Sequence, residues 1–113
     1  MAISFVKLFQ PTLLTGSAAT VYTMPGAPAT SLLRNGRVLL TNTDTVAHAV
    51  TLYAVPSGGS ASATNQFLSA VSVAPNSSLP VDVPQMQIND FIQGFADLTN
   101  KVNIQALDGV LQS

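Results

Sequence analysis

Residues 37–55 read RVLLTNTDTVAHAVTLYAV, two apolar runs flanking the polar tetrad Asn42-Thr43-Asp44-Thr45. Apolar runs of this length around Asn and Asp are the pattern of two strands joined by a tight turn. Asn and Asp suit turns because their side chains bond nearby backbone and tolerate left-handed conformations. In the second run Val50, Leu52 and Ala54 share one face, and Thr51, Tyr53 and Val55 share the other. The stretch therefore predicts the central hairpin of a β-sandwich.

The rest of the chain repeats this grammar outward. Upstream, Asn35-Gly36 is the strongest short turn signal, and Ala18 to Met24 (AATVYTM) has the β-branched and aromatic content of a strand. Pro25-Gly26-Ala27-Pro28 breaks the chain. Residues 1–17 read as an N-terminal strand or extended arm ahead of a single sandwich domain over 18–113. Downstream, Pro56 to Gln66 is small, polar and aperiodic, the composition of a mobile loop. Phe67 to Val73 is a strand. Leu79, Val81 and Val83 alternate around Pro80, and a proline there places that strand at a sheet edge or bulge. Phe91 to Ala96 is a strand whose Gly94 suggests a bulge or close backbone approach. Lys101 to Leu107 alternates cleanly, with Val102, Ile104 and Ala106 on one face. Asp108-Gly109 then turns the chain out into a short tail. No stretch holds a helical period. The fold class is all-β: an antiparallel β-sandwich or jelly roll of about seven to eight strands. Its expected core includes Val21, Val38, Leu40, Val50, Leu52, Val71, Val73, Leu79, Val81, Ile92, Val102 and Ile104.

Composition limits what such a domain can do. The 113 residues fit one domain and contain no cysteine, which excludes disulfides and zinc–thiolate sites. Only 8% of residues are charged, against roughly 25% in ordinary soluble domains. With a net charge of −1 there is no basic field for a nucleic-acid backbone. No apolar stretch approaches the ~20 residues of a membrane helix, and the N-terminus lacks the basic start and long apolar core of a signal peptide. Hydrophobic residues make up 47% of the chain. A small domain cannot hide so much apolar area, so other subunits are expected to cover part of this surface.

His48 is the single histidine, and Asp44 lies within reach across the turn. No nucleophile or oxyanion motif accompanies them, so His48 is expected as a surface residue at a strand start and no catalytic residue is assigned. The five aspartates show no calcium-loop spacing; Asp90, Asp97 and Asp108 sit beside predicted turns, where Asp bonds local backbone. Ser57-Gly58-Gly59-Ser60 lacks the Lys-Ser/Thr ending and helix of a phosphate loop. No metal and no cofactor is expected. Phe91 and Phe95 share one strand face and Ile92 the other, so either the strand is central and covered on both sides or one face meets a partner.

Taken together, LFQPTLLTGSAATVYTMP, LLTNTDTVAHAVTLYAVPSGG, AVSVAPNSSLPVDV and KVNIQALDG resemble phrases found in small structural proteins of tailed bacteriophages. In size and composition the chain is most similar to capsid decoration proteins, also called cement or staple proteins. The resemblance covers residues 8–109 and rests on strand and turn phrases rather than a catalytic signature. It implies a non-enzymatic virion protein on the outer capsid surface, a dimer or trimer, partnered with the major capsid protein and clamping neighbouring capsomers. The contact surfaces expected on that reading are the arm (Ile3, Phe5, Val6, Leu8, Phe9), the loop (Ser57, Gly58, Gly59) and the aromatic pair Phe91 and Phe95. The alternative is a tail or head–tail connector component, or a host-surface-binding module. A carbohydrate-binding version of that module would want aromatic platforms, and the chain has no Trp and only two Tyr.

Overall fold

Val38, Leu40 and Asn42 are fully buried along one strand, and Val50 and Leu52 along the next. These rows do not lie side by side in a hairpin. The computed structural model, which describes residues 3–5, 7–28 and 30–112, places them in different sheets. The strands are β1 (Ile3–Phe5), β2 (Thr12–Leu13), β3 (Ala19–Thr23), β4 (Leu32–Asn42), β5 (His48–Val55), β6 (Gln66–Val73), β7 (Ser78–Val83), β8 (Phe91–Ala96) and β9 (Val102–Gln112). One sheet, A, has the order β1-β9-β4-β7, with β2 also on β9; the other, B, has the order β3-β8-β5-β6. All pairings are antiparallel.

Both β1 and β2 lie on the same side of β9, β1 at its end and β2 near its start. They are one edge strand interrupted before Thr12. Counted that way, eight strands pair first with last, second with seventh, third with sixth and fourth with fifth. This is a two-stranded ribbon wrapped into a sandwich, the topology of a jelly roll. Within the segment read from sequence as a strand or extended arm, residues 1–17, Ile3–Phe5 and Thr12–Leu13 pair along the β9 edge of sheet A.

The predicted central hairpin is therefore corrected to an arch that carries the chain from sheet A to sheet B. The reason lies in burial. Both strands are central and each needs two neighbours. Crossing between sheets lets β4 and β5 oppose their apolar rows across the core instead of competing for one edge.

Two further predicted turns are strand interior. Asn35-Gly36 lies within β4 and Asp108-Gly109 within β9, and the β4–β9 register slips where they meet, between Arg34–Val110 and Val38–Ala106. Asn35 takes a left-handed φ of 53° there. A side chain on Gly36 would press on Leu33 and Val83, and one on Gly109 would press on Leu8. Both turn expectations are therefore corrected: the chain does not reverse at either dipeptide, and the two long strands continue through an irregular register.

The core comprises Leu14, Met24, Leu33, Val38, Leu40, Val50, Leu52, Val73, Val83, Met86, Ile92, Ala96, Val102 and Ile104. Val21, Leu79 and Val81 are half-buried against it. Val71, expected inside, is 37% exposed, because β6 is an edge strand and bulges just before it, where Ala70 has φ 47°. Pro80 lies on β7, the opposite edge of sheet A, where its missing N–H removes no ladder bond.

Candidate functional site

A polar cluster forms where the β4–β5 arch meets the β8–β9 turn. Asn42 ends β4 with its side chain buried. Its amide donates to the carbonyls of Val46 (2.8 Å) and Val73 (3.0 Å), and its Oδ1 accepts from Asp44 N (2.9 Å). One side chain thereby folds the arch back and ties it to the end of β6. The Thr43 amide and hydroxyl both donate to the Lys101 carbonyl, at 2.9 and 3.0 Å.

His48 begins β5 directly beneath this arch. It is 5% exposed, which corrects the expected surface position: the antiparallel register that buries Val50 and Leu52 also turns His48 inward, opposite Val73. Its Nε2 lies 2.8 Å from Asp44 Oδ2 and its Nδ1 lies 2.6 Å from Asp97 Oδ1. Asp97 also accepts from Ala49 N at 3.2 Å. Carboxylates offer acceptors only, so the geometry calls for a proton on both ring nitrogens. His48 is held charged above its ordinary range, first by the hydrogen bond to Asp44 and then by Asp97, with burial opposing. Asp44 is held below its ordinary range, chiefly by His48 and then by the Thr45 amide, with a smaller contribution from Lys101.

Chemically this is a clip and not a relay. In this geometry neither ring nitrogen is free to accept a proton from a substrate, the task of a general base. The clip instead joins the arch, the start of β5 and the end of β8. Asp44 was visible from the sequence as a neighbour four residues away. Asp97 was not, because only the β5–β8 pairing, with Val50 opposite Ala96, brings it there.

The predicted contact residues do not converge. Ile3 is 56% exposed on β1. The Phe5 backbone pairs with Val110, and Val6 lies outside the described residues. Leu8 and Phe9 are half-buried against the core, Leu8 over Gly109 and the Phe9 ring 6.1 Å from Tyr22. Ser57, Gly58 and Gly59 form an exposed turn, with Gly58 at φ 78° and Gly59 N bonded to Pro56 O at 2.9 Å. Their loop was expected to be mobile, but it is tied. Ser57 N donates to Asp90, and Asn65 bonds both Ser60 O and Ser62 N. Phe91 and Phe95 are half-buried on the outer face of β8, which lies centrally between β3 and β5, and Phe95 stacks on Tyr53 with ring centroids 6.3 Å apart.

No family model and no curated protein matches the chain. Among solved structures the fold is similar to a protein of Bacillus endospore appendages, described as a novel family of disulfide-linked pili. That match has a TM-score of 0.60 and 14% identity over 98% of this chain and 88% of that one. It is also similar to chains of the infectious bursal disease virus Gx strain (TM-score 0.52, 10% identity) and of the T13 infectious bursal disease virus particle (TM-score 0.53, 11% identity). Each match covers 97% of this chain but 32% and 30% of the viral chains, so this chain spans about a third of their length. At such identities the likeness shows the shared fold: an all-β sandwich that also occurs in pilus and virus-particle proteins.

Proposed function

We propose that this chain is a structural assembly protein, a capsid decoration protein that binds the outside of a phage head and clamps neighbouring capsomers. The observation that carries the reading is that essentially the whole chain shares its fold with proteins of pili and virus particles. The low charge content and the resemblance of its strand and turn phrases to those of phage structural proteins support the same reading. The role is mechanical. A protein that binds only the assembled shell stabilises it by mass action, and contacts repeated by symmetry add through avidity. A non-enzymatic role accords with His48, whose two nitrogens are both engaged by carboxylates.

Quantifying this chain against the major capsid protein in purified particles of the source phage tests the proposal. A copy number comparable to the capsid protein supports decoration. A few copies per particle would move it to the tail or connector, and absence from the particle would overturn the virion role.

A filament subunit is the second reading, favoured by the match to the endospore-appendage protein. This chain has no cysteine, so any filament it formed would lack disulfides. Electron microscopy of the concentrated pure protein would show filaments on this reading and discrete particles on the first.

A further inference from the structure

The His48 clip can close only while the ring is charged. Its two nitrogens face Asp44 Oδ2 at 2.8 Å and Asp97 Oδ1 at 2.6 Å, and both partners are acceptors only. A neutral imidazole has one N–H and one bare lone pair. On deprotonation one carboxylate is therefore left facing a lone pair at hydrogen-bond distance. The ring is buried and has no open side on which to turn that nitrogen to water, so one of the two contacts must part.

The two carboxylates are not held equally. The Asp44 main chain is pinned, its N–H by Asn42 Oδ1 at 2.9 Å and its carbonyl by Asn76 N at 3.1 Å. Its side chain, 22% exposed, also accepts from Thr45 N at 2.7 Å. The Asp97 side chain is 49% exposed, and its other partner, Ala49 N, lies at 3.2 Å. Water can therefore take up the Asp97 carboxylate more readily. The surrounding charges favour the same outcome. Of the elements packed around the ring, β4 presents Asn42, β6 presents Val73, and β8 carries no titratable residue. From the β8–β9 turn, Lys101 favours the charged form of Asp44, and the Asp44 bond is the stronger hold on the ring's proton.

We infer that His48 is a pH-operated latch: when the ring loses its proton, Nε2 keeps its bond to Asp44, while Asp97 lets go of Nδ1 and of the Ala49 amide. This holds whatever the chain assembles into. It also differs from a general loss of stability at high pH, because the opening is local. The β8–β9 turn stays attached by Asp97 N to Ala49 O at 3.0 Å and by Thr43 to Lys101 O, and these bonds form the hinge. The arch and the turn carry Val46 and Leu98, both exposed, so the ring's proton sets how firmly two apolar loop tips are tied together. The ring is held charged above its ordinary 6.5, so the latch is closed below that value and opens as pH rises through the raised one.

NMR of the isotope-labelled chain reads the latch at its one imidazole. As pH rises through the His48 transition, the ring nitrogen shifts should report a neutral ring protonated on Nε2. Over the same step the protection factor of the Ala49 amide in hydrogen exchange should fall at least about tenfold. That of the Leu33 amide, bonded to Met86 O near the opposite end of β4, should stay constant. Asp97→Asn should reverse the Ala49 step. With the ring neutral, the new NH2 donates to Nδ1 while Oδ1 accepts from Ala49 N, an arrangement that the charged ring forbids. Thermal melts confirm that the variant is folded; if it is not, Asp97→Ala replaces it and should leave Ala49 unprotected at every pH. A neutral ring protonated on Nδ1, an Ala49 amide unchanged through the step, or an unreversed step in Asp97→Asn would overturn the latch. So would joint loss of protection at Ala49 and Leu33, which is global unfolding.

Discussion

An imidazole between two carboxylates makes stability depend on pH in a direction that the geometry fixes. His48 is raised from its ordinary 6.5, so its contribution is complete below that value and is lost as pH rises through the raised one. Asp44 is lowered from 3.8, so its contribution is complete above that value and is lost as pH falls through the lowered one. The melting temperature should therefore be highest between about pH 4 and 6.5 and decline on the alkaline side. His48→Gln should abolish that alkaline decline, as a pH series of thermal melts would show; an unchanged slope would remove His48 as its cause. Asn42 presents a simpler case. Asn42→Ala would take its amide from the part-buried carbonyl of Val46 and the buried carbonyl of Val73, and at about 1–3 kcal/mol for a buried unsatisfied group the loss should reach about 2 kcal/mol in urea unfolding. A loss under about 1 kcal/mol would mean that water replaces the amide. Asn42 reads from sequence as one member of a turn tetrad. Nothing local marks it as the member whose side chain goes inside, since that depends on β6 ending beside it.

Gly94 shows an element whose sequence reading carried through to the packing. A glycine in a strand pattern suggests close approach, and a side chain there would lie 2.5 Å from Leu52 Cδ2 and 3.2 Å from the Thr51 carbonyl. Gly94→Ala should therefore cost about 1–3 kcal/mol by overpacking the core between β5 and β8; calorimetry showing no loss would mean that Leu52 has room to move. The N-terminal segment behaves less uniformly than its sequence suggests. Met1 to Phe9 reads as one apolar arm, yet Ile3 is exposed on the edge strand while Leu8 and Phe9 pack on Gly109 and Tyr22. Removing residues 1–5 should change the melting temperature little. Removal through Phe9 should cost about 2 kcal/mol more, from two half-buried apolar side chains. Equal effects of the two deletions would show that Leu8 and Phe9 add nothing to the fold. Alternation alone could not separate these roles, because the surfaces covered by Leu8 and Phe9 belong to β9 and β3.

At the scale of the whole molecule, strand existence was readable from period and punctuation, whereas strand pairing was not. Val50, Leu52, Val102 and Ile104 announce buried faces by their spacing. Nothing in that spacing says that β4 crosses to the other sheet before β5, or that β1 pairs with β9 at the far end of the chain. Such pairing has a kinetic consequence. Among the described residues only β5–β6 joins consecutive full strands within one sheet; every other ladder closes a longer loop. Domains dominated by non-local pairing fold in milliseconds to seconds, and refolding here should fall in that range. The β5–β6 pair has the smallest closure entropy, so it is the expected nucleus. Leu68→Ala, opposite Leu52 in that pair, should then slow refolding, while Ile104→Val in β9 should chiefly speed unfolding. Stopped-flow chevrons of the two variants decide the matter. If Leu68→Ala leaves the refolding arm unmoved and Ile104→Val shifts it, the ribbon closes from its open end and the local pair forms late.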